Sequence, residues 1–173
     1  MNLLKMEKNL ITGITIDEGE AKVTILDVPD KPGVAAEIFE QIAGRNINVD
    51  MIIQNISHKR AKVKGQRLKT DVSFTIQKED LKNTLDEIEK IADKIGAKGI
   101  DCNRDIAKVS AVGTGMRSHS GVAAKVFSAL AEQKINIEMI STSEIKISCV
   151  VEKKDGKRAV RAIHKKFGLG REK

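Results

Sequence analysis

The sequence predicts an α+β fold of two β-α-β-β-α-β units, the first inserted into a discontinuous second. Three observations predict it. First, Gly33 to Ile52 recurs as Gly121 to Ile140 at an offset of 88, with ten of twenty positions identical, so the chain is a duplication and not a longer repeat array. Second, both copies switch between helical and strand-like hydrophobic spacing in the same order. Third, copy two lacks a closing strand while an unclaimed strand precedes copy one. That strand, Leu10–Ile16, completes copy two, and copy one becomes the insertion. The alternative use of the strand is as an added edge of copy one. The predicted bounds are 20–104 for the first domain, and 8–19 plus 105–169 for the second.

The elements follow in chain order. Copy one opens on a β-rich run at Val23–Leu26, then the loop Asp27-Val28-Pro29-Asp30-Lys31-Pro32-Gly33. A helix follows in which Val34, Ala35, Ile38, Phe39 and Ile42 share a face. Small Ala36, and its counterpart Ala124, are expected to let the helix lie close to a sheet. Ile47, Val49, Met51 and Ile53 alternate with Asn48, Asp50, Ile52 and Gln54 in a strand. Val72, Phe74 and Ile76 mark the next strand. A second helix stripes Leu81, Leu85, Ile88, Ala92 and Ile95, and a last strand lies around Ile100 and Cys102. This is the ferredoxin-like order. Copy two repeats it with Val109–Val112, the loop Gly113–Gly121, a helix facing inward through Val122, Ala123, Val126, Phe127 and Leu130, a strand at Ile145, Ile147 and Cys149, and a helix carrying Val160, Ile163 and Phe167.

Composition excludes several classes. Hydrophobic residues are 40% and charged residues 32%, which supports a packed core and argues against wholesale disorder. No apolar run approaches the roughly 20 residues of a membrane span, and the first residues lack a signal-peptide pattern. Cys102 and Cys149 form no disulfide framework; both are expected buried, in a reducing cytoplasm. The net charge of +7 tempts toward nucleic acid, but aromatics are only 2%, all Phe, so base-stacking platforms are nearly absent. Nucleic-acid binding is therefore the runner-up, and Phe74 is expected to point into the core.

Candidate chemistry concentrates at the start of each first helix. The free amides there favour a carboxylate, and Asp30, three residues before Gly33, could take an ammonium. Together they suit a free amino acid. The competing role for Asp30 is helix capping, with Pro32 in the first turn; the two roles are compatible. Copy two has no acid in its loop, but Arg117, Ser118 and His119. Gly113-Thr114-Gly115 is not a dinucleotide fingerprint, since Ser118 stands where a third glycine is needed. His58, His119 and His164 are far apart, and no Cys/His spacing suggests a metal. His58 and His164 are expected at the surface. Glu37, Glu40, Asp86, Glu87 and Glu89 read as solvated helix faces, and Met51 and Met139 as core. No catalytic residue, metal or cofactor is predicted.

The loop Asp27–Ala35 with the strand Asn46–Asn55 resembles the first ACT domain of aspartate kinases. The segments Gly113–Ala123 and Ile135–Ser148 resemble the second, and the match spans about residues 8 to 169. The resemblance implies the inserted-domain arrangement and a regulatory role: feedback inhibition by threonine and/or lysine bound at ACT–ACT interfaces. It implies one effector site from Asp30, Pro32, Gly33, Val34, Ala35 and Gln54 with Asn136 and Ile137. A related site would use Met116, Ser118, His119, Gly121 and Val122 with Asn48 and Val49. The implied partners are a catalytic aspartate kinase domain or alpha subunit and a second copy of the chain. The homodimer is also expected from Ile52 and Ile140, apolar on the polar side of their strands. The catalytic domain that precedes the ACT pair in this family is not in this sequence, which therefore reads as a regulatory subunit or a regulatory fragment. One departure from the family is the basic stretch from Ser57 to Lys69, with six Lys or Arg from Lys59 to Lys69 and no acid. A free-standing ACT regulator of another enzyme is the third reading.

Overall fold

The computed structural model describes residues 11–54, 69–114 and 121–169. The chain divides into two compact units. Residues 19–104 form one, and residues 1–18 with 105–173 form the other. Among the described residues, each is a four-stranded antiparallel sheet with two α-helices.

The inserted unit contains β2 (Glu20–Pro29), α1 (Val34–Ala43), β3 (Val49–Gln54), β4 (Lys69–Gln77), α2 (Leu81–Ile95) and β5 (Gly99–Asn103). Its strand order is β3-β4-β2-β5. The discontinuous unit contains β1 (Gly13–Asp17), β6 (Ile106–Val112), α3 (Val122–Glu132), β7 (Met139–Thr142), β8 (Lys146–Glu152) and α4 (Gly156–Lys166). Its order is β1-β6-β8-β7. Read from β7, this is the order of the inserted sheet, with β1 in the place of β5. The strand from the start of the chain thus closes copy two, pairing along β6 from Gly13↔Val112 to Asp17↔Lys108.

Each core lies between the helices and one sheet face. In the inserted unit Val23, Ile25, Ile38, Ile42, Val72, Phe74, Ile76 and Ile88 are buried together. Phe74 is fully buried and meets the Phe39 ring edge-on, with centroids 5.6 Å apart. The central-strand aromatic is therefore core and offers no base-stacking surface. In the discontinuous unit Val109, Ala111, Val126, Leu130, Ile147, Cys149, Val151 and Ile163 form the equivalent cluster. The opposite faces of the central strands carry matching hydroxyl pairs, Thr24–Ser73 at 2.9 Å and Ser110–Ser148 at 2.8 Å. Such cross-strand pairs fix register between the two inner strands.

Several expectations change. Ala35, Ala36 and Ala124 are exposed. The buried line of α1 is Val34, Ile38 and Ile42, and residue 36 falls on the far side of that line at helical spacing. Ile145 precedes β8 in a turn and is 56% exposed. Cys102 is exposed while Cys149 is buried. Cys102 pairs with Val23 from β5, an edge strand with one neighbour, so half of its surroundings are open. Met51 and Met139 are buried, and Ile52 and Ile140 remain 52% and 41% exposed on the edge strands β3 and β7. His164 is exposed; His58 lies outside the described residues. Glu40, Asp86 and Glu89 are exposed, whereas Glu37 and Glu87 are half-buried. Glu87 binds Arg45 at 2.6 Å and Lys90 at 3.0 Å, and these partners hold its carboxyl below the ordinary range, the Lys90 hydrogen bond most of all. No helix among the described residues is long and apolar enough to cross a membrane.

Candidate functional site

The loop from β2 to α1 is shaped by two backbone devices. A register shift between Ile25 and Val28 puts Asp27 at φ 54°, and the Asp27 amide donates to Asp71 Oδ1 at 2.9 Å. Such a bulge bends the strand end and re-aims the chain that follows. Four residues after Pro29 the helix starts on Gly33, at φ 94° and ψ −21°, with no side-chain cap. A residue with a Cβ is strained there, so glycine is the natural choice. Lys31 closes the turn: its amide donates to the Pro29 carbonyl at 3.1 Å, and its own carbonyl accepts from Val34 at 3.4 Å.

This geometry corrects the capping role expected of Asp30. Gly33 is the N-cap, and Pro32 precedes it instead of entering the first turn. The Asp30 carboxylate is exposed and makes no hydrogen bond or ion pair among the described residues. The first-turn amides of a helix have no partner inside it, and no side chain covers them here. The Val34 and Glu37 amides are taken by the Lys31 and Gly33 carbonyls, so the amides of Ala35 and Ala36 and a free carboxylate share one loop.

A cleft of about 290 Å³ lies against this loop, lined by Asp30, Pro32, Gly33, Val34, Ala35 and Gln54. These are the six residues expected to act together from copy one. The cleft also takes in Val28, Pro29, Lys31 and Val72, which sequence reasoning did not assign. Lys31 and its neighbours sit inside the recognised loop. Val72 reaches the cleft from β4 by strand pairing, so no local pattern announces it. Val49 opens β3 at the opposite end from Gln54, about 17 Å away at strand rise, Asn48 immediately precedes it, and neither joins this cleft.

In the discontinuous unit Gly121 repeats the cap, at φ 98° with no side-chain bond, and Val122 is buried behind it. Asn136 is exposed and Ile137 is half-buried between α3 and β7. Met116, Ser118 and His119 lie outside the described residues. A second cleft, about 530 Å³, is lined by Glu18, Asp105, Glu152, Lys153, Lys154 and Lys157 at the other end of the sheet, around the approach to α4. It is the larger, but it is partly self-neutralised: Glu152 pairs with Lys154 and raises the ammonium's pKa. Its residues come from three distant stretches, and the sequence carried no signal for it. Among the described residues no group of three or more His, Cys, Asp or Glu is placed to hold a metal ion.

Chemically, the loop cleft sets the Ala35 and Ala36 amides, donors that suit a carboxylate, beside the Asp30 carboxylate, an acceptor that suits an ammonium. It offers no paired acid and base and no activated nucleophile.

The ACT domain family model matches residues 22–93, and a second ACT domain model matches 109–167. Over 164 residues the chain is 48% identical to an aspartate kinase of Stutzerimonas stutzeri, covering 95% of this chain. Over 165 residues it is 45% identical to the aspartokinase of Helicobacter pylori. In both cases it spans 38% of the relative's length. Among solved structures it is similar to a chain of the aspartokinase alpha and beta subunits, at 50% identity and TM-score 0.82, covering 92% of this chain and 99% of that one. It is also similar to the ligand-free regulatory subunit of aspartate kinase from Thermus thermophilus, at 38% identity and TM-score 0.81, covering 91% and 99%.

Proposed function

The chain belongs to the aspartokinase family, as its regulatory pair of ACT domains, and from that premise we propose that it senses end-product amino acids and relays feedback inhibition to a catalytic aspartokinase partner. The effectors are threonine, lysine or both. The chain itself carries no catalytic step; it works in the cytoplasm, as a homodimer whose contacts include exposed Ile52 and Ile140. The catalytic partner is an alpha subunit or a kinase domain, consistent with the alpha and beta subunits named for the similar structure.

The observation that carries this reading is the cleft at the start of α1. It brings Asp30, Gly33 and Gln54 from the loop and β3 around a helix N-terminus that has no side-chain cap, at a size suited to a free amino acid. In the reading, Asn136 and Ile137 complete such a site, while Gly121 and Val122, with Met116, Ser118 and His119, and Asn48 with Val49, form the related one. Effector binding inhibits only through a differential affinity for active and inhibited states of the partner.

Calorimetry of the chain with threonine and lysine, singly and together and without ATP, tests the proposal. Saturable heat is expected for at least one of them. No heat and no thermal shift at millimolar ligand would remove amino-acid sensing by this chain.

A further inference from the structure

The second helices of the two copies occupy the same place in the same fold, yet α2 presents a row of acids outward where α4 presents a row of cations. On α2 the exposed acids Asp86, Glu89 and Asp93 lie on the side away from the buried residues Leu81, Ile88, Ile91 and Ile95. Their side chains make no hydrogen bond or ion pair among the described residues. Of the lysines on α2, Lys82 is exposed one turn before Asp86 on the same side of the helix, and the other two are engaged. Lys90 bonds Glu87 at 3.0 Å, and Lys94 approaches Glu37 Oε1 to 2.5 Å, close in distance though off the hydrogen-bond direction.

On α4 the pattern is inverted. Lys157, Arg161 and Lys165 are exposed at intervals of four, opposite buried Ala159 and Ile163. Lys157 and Arg161 have no partner among the described residues. Lys165 is felt by Glu132, whose carboxylate Lys166 already holds at 2.5 Å. Asp155, the acid nearest the helix start, is held by Arg158 at 2.8 Å. Like charges at i,i+4 work against a helix, and an isolated α4 gains nothing from them. The two ridges run to similar lengths, about 10 Å for the acids and about 12 Å for the cations at helical rise.

We infer that α4 of one chain docks on α2 of a second copy, the Lys157–Arg161–Lys165 ridge facing Asp86, Glu89 and Asp93. The contact joins unlike surfaces of two identical chains and is separate from any sheet-mediated homodimer. The α4 ridge repels itself, the α2 ridge keeps an excess of negative charge beyond Lys82, and each is relieved by the other. The net charge of +7 opposes association at a distance, but at about 0.1 M salt the screening length is about 10 Å, so long-range repulsion fades while facing ridges still attract.

The test is sedimentation of the full chain at about 0.1 M and about 1 M salt, where the screening length falls to about 3 Å. Wild type is expected to lose an association step at high salt; an apolar sheet contact would persist or strengthen, so failure of the homodimer reading and failure of this one are told apart. Lys157→Glu with Arg161→Glu should weaken the salt-sensitive step by about tenfold or more, and so should Asp86→Lys with Glu89→Lys. All four positions are exposed, and unchanged thermal unfolding confirms that both variants fold. An equimolar mixture of the two variants should restore the step as a mixed assembly. No salt-sensitive step in wild type, or no rescue on mixing, overturns the inference. So does an unchanged step in either variant, including one in which the α4 variant loses only binding to inorganic polyphosphate, which would assign the ridge to a polyanion.

Discussion

Replacing Asp30 by alanine separates a ligand-binding carboxylate from a structural one, and the structure sets the magnitudes on both sides. Loss of an N-cap costs about 1 kcal/mol. Asp30 is not the cap, since Gly33 holds that position without any side-chain bond, and the carboxylate is exposed and unpaired among the described residues. An exposed substitution with no partner to lose changes stability by about 0.5 kcal/mol or less. The binding side is larger. A charge-assisted hydrogen bond to an ammonium is worth about 1.5–3 kcal/mol, or about 10- to 150-fold in dissociation constant. The expected result is therefore a near-unchanged urea midpoint with a weakening of threonine or lysine binding of at least tenfold, read by calorimetry. With the catalytic partner present, the same change should move the inhibition curve to higher effector concentration and leave uninhibited turnover intact. An affinity within twofold of wild type would refute the role given to Asp30. A large loss of stability would refute the reading of Gly33 as the sole cap.

Three further outcomes are expected. A Cβ on Gly156 would sit 2.8 Å from both Ala107 Cβ and Ile16 Cδ1; Ile16 can rotate away but the β6 backbone behind Ala107 cannot, so Gly156→Ala should cost about 1–3 kcal/mol in urea unfolding despite alanine's better helix propensity. Of the two thiols, exposed Cys102 should react with a disulfide reagent in the native protein and Cys149 only after unfolding, because it is fully buried and burial pushes its pKa up to about 11. The Glu87 carboxyl is held below its ordinary value in the folded state, so its contribution is present at neutral pH and disappears as pH falls through that lowered value; the stability gap between wild type and Glu87→Gln should be flat above about pH 5 and close in acid.

The duplication made most of the fold legible. Strand counting alone placed Leu10–Ile16 in the second copy, and the pairing of β1 with β6 follows that count because a sheet with one unclaimed edge position accepts only one strand there. The alternation Ile47, Val49, Met51, Ile53 also carried over, with Asn48, Asp50, Ile52 and Gln54 all exposed. The misreadings have a common cause. Small or apolar residues near the ends or edges of elements, such as Ala36, Cys102 and Ile145, were assigned by residue type, whereas their burial depends on what lies opposite. Ala36 is off the buried line of α1, Cys102 is on an edge strand, and Ile145 is in a turn.

The loop cleft was legible for a different reason. Glycine at the same position in both copies marks a backbone requirement, and Gly33 and Gly121 meet it with nearly equal φ of 94° and 98°. What that requirement does could not be read locally. A left-handed N-cap moves the helix start past Asp30, which frees the carboxylate that a conventional cap would have consumed. The residue types therefore pointed to the chemistry, and one dihedral angle decided between its two uses. Val72 and the charged cleft beside α4 had no such signal, because strand pairing and chain reversal assemble them from segments far apart in sequence. The same limit explains the ridges on α2 and α4. Composition records both signs of charge, but only the internal pairs of Lys90, Lys94, Arg158 and Lys166 show which charges are left facing outward.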